Sequence, residues 1–481
     1  MPQEILVNIS SREIRIALLE NTILQEVHIE RRLHEGLLGN IYKGRAGRLL
    51  PGIQASFVDI GFDRSAFLHV SDMGVETDAK TDIRKHLTQG REILVQVYKD
   101  PLGSKGARLT TQFTIPSRYL VFTPNVFQIS VSQKITDEAE RERLQSLITP
   151  GKKGGYIFRT VAENISQTEI LADKEYLDAL WETIDAKCQS VKAPGLVYEE
   201  IPIVLRVLRD LVGFDVARIQ VDDPGVVQTM QAFAERYMPG LLNRIEFYNG
   251  ERPIFDMFGV ETELQKALER KIPLKSGGHL IFDQTEAMTT IDVNTGSYTG
   301  HLNLEDTIVK TNIESIEIIA HQIRLRNLGG IIIIDFIDMT DPAHKENLLQ
   351  LLTQALTKDS AKTQISELSS LGLVQMTRKR TRESLEHVLC VTCPLCQRRG
   401  SIKSLETICC DIFRELQRAA KIYPWQGFVI SASPEVTDEL KNKELQTLAE
   451  LEIQLGKPIK LHPETYYVRE RFDILPLSEK E

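Results

Sequence analysis

The sequence predicts a multidomain protein of mixed α/β and all-β parts, and three observations carry that prediction. Residues 4–30 alternate apolar and polar positions in the runs EILVNIS, EIRIALLE and TILQEVHIE. A period of two with short breaks belongs to a small antiparallel meander. Residues 37–115 carry short strand-like runs broken by Gly and Pro, among them GIQASFVDIGF, SAFLHVSD and EILVQVYKD, the rhythm of a small β-barrel. Residues 275–375 alternate strand and helix patterns, as α/β units do. A chain of 481 residues has room for about two to four domains.

Between and after these regions the elements follow in order. Residues 117–200 are mixed, with a strand at GYIFRT and a helix near 173–190. Helices dominate from 201 to about 270, as in TELQKALERK. MTTIDVNTG (288–296) is a strand ending in polar groups, and IIIIDFIDM (331–339) is an apolar strand of the buried kind running into Asp335 and Asp338. Between them Val309, Ile313, Ile316, Ala320 and Ile323 form one apolar helical stripe. Asn303 with Asp306 resembles a capping arrangement, Arg324 and Arg326 sit where the macrodipole favours cations, and Gly329-Gly330 ends the helix. Strand, helix, strand reads as a βαβ unit with parallel strands. Asp341-Pro342 is an N-cap with Pro at the first helical position. The last 80 or so residues form a small α/β unit after a Cys-rich joint.

The chain is 42% hydrophobic and 26% charged, as ordinary globular proteins are. Its net charge of -9 means that any nucleic-acid site must be a local basic patch. No apolar run approaches the roughly 20 residues needed to span a bilayer, and the charged N-terminal stretch is not a signal peptide. A cytoplasmic protein is expected, and six cysteines fit a reduced compartment. Cys188 and the neighbours Cys409 and Cys410 read as ordinary thiols, most often small buried hydrophobes. No Gly-x-x-x-x-Gly-Lys-Ser/Thr phosphate loop is present, so an ATP-driven activity has no support.

Asp292 and Asn294 are two apart, so both side chains leave one face of an extended strand. Parallel strands of one unit end on the same sheet edge, which would bring Asp292 and Asp335 together where open α/β sheets bind ligands. Two carboxylates and an amide suit Mg²⁺, which takes one or two carboxylates and keeps several waters. Strand-end aspartates also make turns and caps, and Asp338 can belong to the turn before Asp341.

Other segments carry aromatic and basic side chains of the kinds that stack on bases or pair with phosphates. Phe57 and Phe67 lie on neighbouring strand-like runs and can stack bases if exposed, although core is the usual place of Phe. Lys105, Arg159 and Thr160 can meet phosphate, a role that surface residues at strand ends share by type alone. TRKRTR (377–382) is the densest basic cluster, and its Arg378, Lys379, Arg380 and Arg382 would neutralise phosphates. Cys393 and Cys396 have zinc-knuckle spacing, but a structural zinc site needs four ligands and no second Cys-x-x-Cys exists. Two chains could share one site, Cys390 with His387 could join an intrachain one, or the pair could be free or redox-active.

Three long stretches, GGHLIFDQTEAMTTIDVNTG, RLRNLGGIIIIDFIDM and MTRKRTRESLEHVLCVTCPLC, together resemble the ribonuclease E/G family, and the resemblance covers nearly the whole chain. It implies Mg²⁺-dependent internal cleavage of single-stranded RNA. The implied preference is for a 5′-monophosphate end, with 5′-phosphate and 3′-hydroxyl products. The implied setting is ribosomal RNA maturation and messenger decay. Carried over by motif, Asp292 and Asp335 match the metal-binding aspartates and Asn294 the assisting amide, while Asp338 is not taken as a ligand. Phe57, Phe67 and Lys105 match the RNA-contacting pocket of an S1 (OB-fold) domain. Arg159 and Thr160 match the phosphate contacts of a 5′-sensor, with Val121 at a backbone position there. Cys393 and Cys396 match half of a Zn²⁺ site shared between subunits, which implies a homodimer or a higher oligomer.

The family arrangement implies a split RNase H-like domain at 1–35 and 204–267, interrupted by the S1 domain at 36–116 and the 5′-sensor domain at 117–203. A DNase I-like catalytic domain at 268–389, a zinc link at 390–400 and a small C-terminal dimerisation domain at 401–481 complete it. No long scaffold tail beyond these is expected. Rival readings are a non-catalytic RNA-binding scaffold, against which the intact Asp292, Asn294 and Asp335 motifs argue, and a DNase or general phosphodiesterase indifferent to the sugar and the 5′ end.

Overall fold

The computed structural model describes residues 3–31, 36–75, 82–101, 106–151, 153–212, 216–296, 304–369, 371–380, 382–397 and 399–477. Lys105 and Asn303, both singled out by the sequence, lie outside the described residues. The chain divides into two compact units, 1–388 and 389–481.

The first unit opens with the expected meander, β1 (Gln3–Ile9), β2 (Glu13–Glu20) and β3 (Ile23–Arg31), paired antiparallel. The barrel follows, made of β4 (Ile41–Leu50), β5 (Ala55–Asp59), β6 (Ala66–His69), β7 (Glu92–Lys99) and β8 (Arg108–Thr110). Its order β4-β5-β6-β8-β7 closes because β7 pairs back to β4. Closure leaves no free edge among the five strands. Val58, Leu68, Val95 and Leu109 fill the interior.

A third sheet contains β9 (Ile115–Pro116), β10 (Leu120–Pro124), β11 (Ile129–Val131) and β12 (Gly154–Phe158), with α1 (Glu138–Leu147) lying between β11 and β12 in sequence. One face packs Phe122, Tyr156 and Phe158 against the long helix α2 (Gln167–Ser190) through Leu177 and Trp181. β13 (Gly195–Tyr198) then adds to β4. Residues 201–270 contain α3 (Ile203–Asp210), β14 (Val216–Val221), α4 (Pro224–Tyr237), β15 (Ile245–Phe247), α5 (Ile254–Met257) and α6 (Val260–Lys266). Helices dominate here as expected, but two strands were missed. β14 pairs parallel to β1 and β15 extends the edge, so the N-terminal meander is three strands of a five-stranded sheet.

The last sheet of this unit is β16 (Lys271–Pro273), β17 (His279–Gln284), β18 (Met288–Asn294), β19 (Gly330–Asp335), β20 (Thr363–Leu368) and β21 (Leu373–Arg378). Its order is β16-β17-β18-β19-β21-β20. The crossover helix α7 (Leu304–Leu325) joins the parallel strands β18 and β19, as a βαβ unit requires. The helix α8 (Pro342–Leu356) follows β19, and Asp341 caps it by accepting from the Ala343 N–H. Helices α7 and α8 cover one face, where Ile291, Val293, Ile332 and Ile334 are buried. The isoleucine run is therefore not buried throughout. Ile331 is 45% exposed, on the face opposite the one that α7 and α8 cover.

Two details of α7 differ from expectation. Ile313 is exposed, and the buried stripe runs through Asn312, Ile316, Ile319 and Ile323, rotated from the predicted one. The helix is terminated by Asn327 in the left-handed conformation (φ 48°), ahead of Gly329-Gly330. The glycines serve a close approach instead. A Cβ on Gly329 would stand 2.6 Å from the Arg380 side chain that lies over it.

A short helix α9 (Leu385–Leu389) spans the division between the units. The second unit holds α10 (Leu405–Ile422), β22 (Phe428–Ala432), α11 (Pro434–Asn442), α12 (Leu445–Leu455), β23 (Ile459–Pro463) and β24 (Phe472–Pro476). It is a small α/β fold with strand order β23-β22-β24 and a core of Ile412, Leu416, Phe428 and Ile430. Cys409 is one of its buried hydrophobes, and burial pushes its thiol up to about 11. Among the described residues no helix is long and apolar enough to cross a membrane.

Candidate active site and nucleic-acid interface

The parallel pairing of β18 with β19 sets Asp292 directly beside Asp335. Neighbours in register point to the same face, and here it is the face opposite α7 and α8, where both aspartates are exposed. Asn294 donates from Nδ2 to Asp292 Oδ2 at 2.8 Å. Burial, then the charges of Asp292 and Asp338, push the Asp335 carboxyl above the usual range. Among the described residues no ion pair reaches Asp292, Asp335 or Asp338. Asp292 and Asp335, side by side with the Asn294 amide, are hard oxygen donors of the kind a divalent cation takes, and among the described residues no third His, Cys, Asp or Glu joins them as a ligand set.

A positioning residue escaped the sequence. Asn312, buried in α7, donates to the Ile337 carbonyl at 2.8 Å and accepts from the Ile337 N–H at 3.1 Å. It ties the crossover helix to the chain between Asp335 and Asp338. The signal was a set of polar residues, Thr307, Thr311, Asn312 and Ser315, recurring on one helical face beside the isoleucines.

On the barrel, Phe57 and Phe67 are cross-strand partners with ring centroids 6.1 Å apart and near-perpendicular planes. Neither is core, and Phe57 is 39% exposed. Phe67 pairs with Arg108 on β8. Arg108 also meets Asp72 at 3.2 Å and lies over the Tyr98 ring at 5.4 Å. Arg108 and Tyr98 were not picked out by sequence, because nothing local marks Arg108 as the strand neighbour of Phe67 or Tyr98 as the ring beneath Arg108.

On the third sheet Val121 pairs with Ile157, two residues before Arg159. Arg159 Nη1 donates to the Ser117 carbonyl at 2.6 Å, and Nη2 stands 2.9 Å from Asp210 Oδ1. The hydroxyls of Thr160 and Ser132 are 3.0 Å apart. Arg159, Thr160 and Ser132 therefore cluster at one end of this sheet.

The basic run divides. Arg378 is withdrawn from the RNA-facing set. It is 4% exposed, and its guanidinium is bound by Asp359 (2.6 and 3.1 Å), Asn327 and the Leu328 carbonyl. Arg382 is a tie as well, donating to the Val27 carbonyl at 2.6 Å and facing Glu26 at 3.4 Å. Lys379 and Arg380 are exposed, with Arg380 Nε donating to the Gly329 carbonyl at 2.9 Å. Nor are Arg324 and Arg326 mere dipole cations. Arg324 pairs with Glu26 and Glu20, and Arg326 lies over the Phe282 ring, where burial lowers it to about 10.

In the second unit Cys393 is exposed and Cys396 half-buried. Hydrogen bonds from the N–H groups of Cys396 and Leu395, and from the Cys396 thiol, hold the Cys393 thiol below its usual range. N–H groups aimed at sulfur favour thiolate, the form that binds zinc. Cys390 is exposed, and His387 engages the Ser384 hydroxyl at 2.7 Å. Among the described residues no three of His, Cys, Asp and Glu gather as a ligand set.

A closed barrel carrying the Phe57–Phe67 pair and an α/β sheet with Asp292 beside Asp335 on its exposed face define a mixed α/β protein with an inserted small barrel. Comparison with known proteins names the group. The chain belongs to the ribonuclease E/G family, whose model matches residues 114–381. It is 49% identical to ribonuclease G of Escherichia coli K12, over 99% of this chain and 100% of that protein. Ribonuclease G of Haemophilus influenzae Rd is 46% identical, over 98% and 99%. Ribonuclease E of the latter organism is 32% identical, over 100% of this chain and 52% of its own length.

Proposed function

We propose that the chain is an endoribonuclease of the ribonuclease G type, cleaving single-stranded RNA with Mg²⁺ and preferring a 5′-monophosphate end. The observation that carries this reading is the register of Asp292 against Asp335, with Asn294 fixing Asp292. Asp292 and Asp335 would hold the ion. When bound, it supplies a Lewis acid for a phosphoryl oxygen and for water. Asn294 holds the Asp292 carboxylate by a hydrogen bond, and Asn312 holds the chain that follows Asp335. Hydrolysis adds the oxygen of water to phosphorus and breaks the bond to the 3′ oxygen, which leaves with a proton. The products are a 3′-hydroxyl and a 5′-phosphate.

Phe57 and Phe67, with Lys105, would stack and steer RNA on the barrel, and Lys379 and Arg380 would meet phosphates. Arg159 and Thr160, with Val121, would hold the 5′-phosphate. The sheet shared by β1–β3 and β14–β15 supports the split RNase H-like domain, and the sheet β16–β21 supports the DNase I-like one. Cys393 and Cys396 would give half of a zinc site between two subunits. The setting proposed is cytoplasmic ribosomal RNA maturation and messenger decay.

The test compares one RNA bearing a 5′-monophosphate or a 5′-hydroxyl, with Mg²⁺ or EDTA, on wild type and Asp335→Asn. Internal cleavage that needs Mg²⁺, prefers the monophosphate and disappears in the variant is expected. Tight binding without cleavage by wild type would leave an RNA-binding scaffold instead.

A further inference from the structure

Arg159 does not wait alone for a phosphate. Its Nη2 is already paired with Asp210, the last residue of α3, and both side chains are partly open to solvent, 23% and 33%. An aspartate at the C-terminus of a helix faces the negative end of the helix dipole, so its placement there needs offsetting cations.

Two arginines fix that carboxylate. Arg209 grips it with Nε to Oδ1 at 3.1 Å and Nη2 to Oδ2 at 2.9 Å. Arg209 is itself buried and anchored to Glu200 at 2.9 Å and to the Pro116 carbonyl at 3.2 Å. Arg118, also buried, donates to the carbonyls of Leu208 and Arg209 and so pins the end of α3 to residues 116–118. Ser117, in that same segment, gives its carbonyl to Arg159. The carboxylate of Asp210 cannot swing away from Arg159 without breaking its two-point pair with the buried Arg209. Burial would push this carboxyl up, yet Arg209 and Arg159 hold it below the ordinary range, so it stays charged.

We propose that Asp210 is a specificity-determining residue of the 5′-end site, a fixed negative charge that tolerates one phosphate on Arg159 and opposes the further charge of a 5′-triphosphate. This rests on Arg159 and Thr160 being the 5′-phosphate contacts. A monophosphate brings about −1.5 to −2 charges and three acceptor oxygens, enough to share or take the guanidinium from Asp210. A triphosphate adds two more anionic groups beside a carboxylate that Arg209 holds in place. At such separations a like charge in a partly screened site changes an equilibrium by about tenfold.

The experiment measures kcat/KM on one RNA sequence bearing a 5′-hydroxyl, 5′-monophosphate or 5′-triphosphate. The full-length chain is used as wild type, Asp210→Asn, Asp210→Ser and Asp210→Glu, with melting curves for each. The monophosphate-to-triphosphate ratio is expected to fall about five- to tenfold in both neutral variants and to return toward wild type in Asp210→Glu. An unchanged ratio, or a common fall on all three ends, overturns the role of Asp210 and leaves it a structural partner of Arg209. Wild type blind to monophosphate against hydroxyl removes the sensor reading, and this proposal with it. Wild type that prefers monophosphate, with neutral variants keeping its ratio, removes only Asp210.

Discussion

Arg378 and Asp359 form an ion pair with both side chains 4% exposed. Removing one partner leaves a buried charge, which costs about 3–5 kcal/mol. Arg378→Ala is therefore expected to lose stability of that order in urea melts, while the salt dependence of its RNA binding stays that of wild type. Arg380→Ala should do the reverse, with a salt slope smaller by about one and little change in melting. The run TRKRTR reads from sequence as one basic patch, because charge is local and partners are not. Asp359 lies 19 positions upstream, in a segment with no mark of its own. Phe57 and Phe67 were ambiguous for a related reason: strand periodicity puts two residues on one face but does not say which face is inside. Phe57→Ala should weaken RNA binding by about 1–3 kcal/mol, read by titration, with little loss of melting temperature.

The crossover between β18 and β19 was the most legible element, since a strand, an amphipathic helix and a second strand leave few topologies. Its rotation was not legible. Thr307, Thr311, Asn312 and Ser315 are buried polar residues, and an apolar stripe drawn without them points the helix slightly wrong. Asn312→Ala would leave the Ile337 N–H and carbonyl unpaired, at about 1–3 kcal/mol for each group. Turnover should fall more than RNA affinity, measured by single-turnover cleavage beside binding. The other side of α7 meets β3 through charge. Burial would raise the Glu26 carboxyl, but His28 at 3.6 Å, Arg324 and Arg382 lower it to about 2. A carboxyl depressed on folding contributes stability above its ordinary 4.5 and loses it as pH falls toward about 2. Burial and Arg382 also lower His28 from 6.5, so its contribution shrinks as pH drops below that value. Urea midpoints should fall on acidification through both ranges, and Glu26→Gln should flatten the lower one.

For the whole molecule, the barrel was readable from its rhythm of short strands, and the small terminal unit from its composition. The five-stranded first sheet was not, since β14 and β15 sit inside a helical stretch and owe their place to β1. The paired thiols at Cys393 and Cys396 carry a prediction at this scale. Cys393→Ser, or a zinc chelator, is expected to halve the mass found by sedimentation if the metal joins two subunits, and an unchanged mass would end that reading. The broken first sheet also has a consequence for synthesis. β1 leaves the ribosome with β2 on one side and nothing on the other, and β14 follows about 200 residues later. At roughly 5–20 residues per second that is on the order of ten to forty seconds. During that interval the barrel and the third sheet can finish folding while an unpaired edge of Ile5, Leu6 and Val7 stays open to neighbouring chains. Slowed translation between β3 and β14 should therefore raise the share of newly made chains that aggregate.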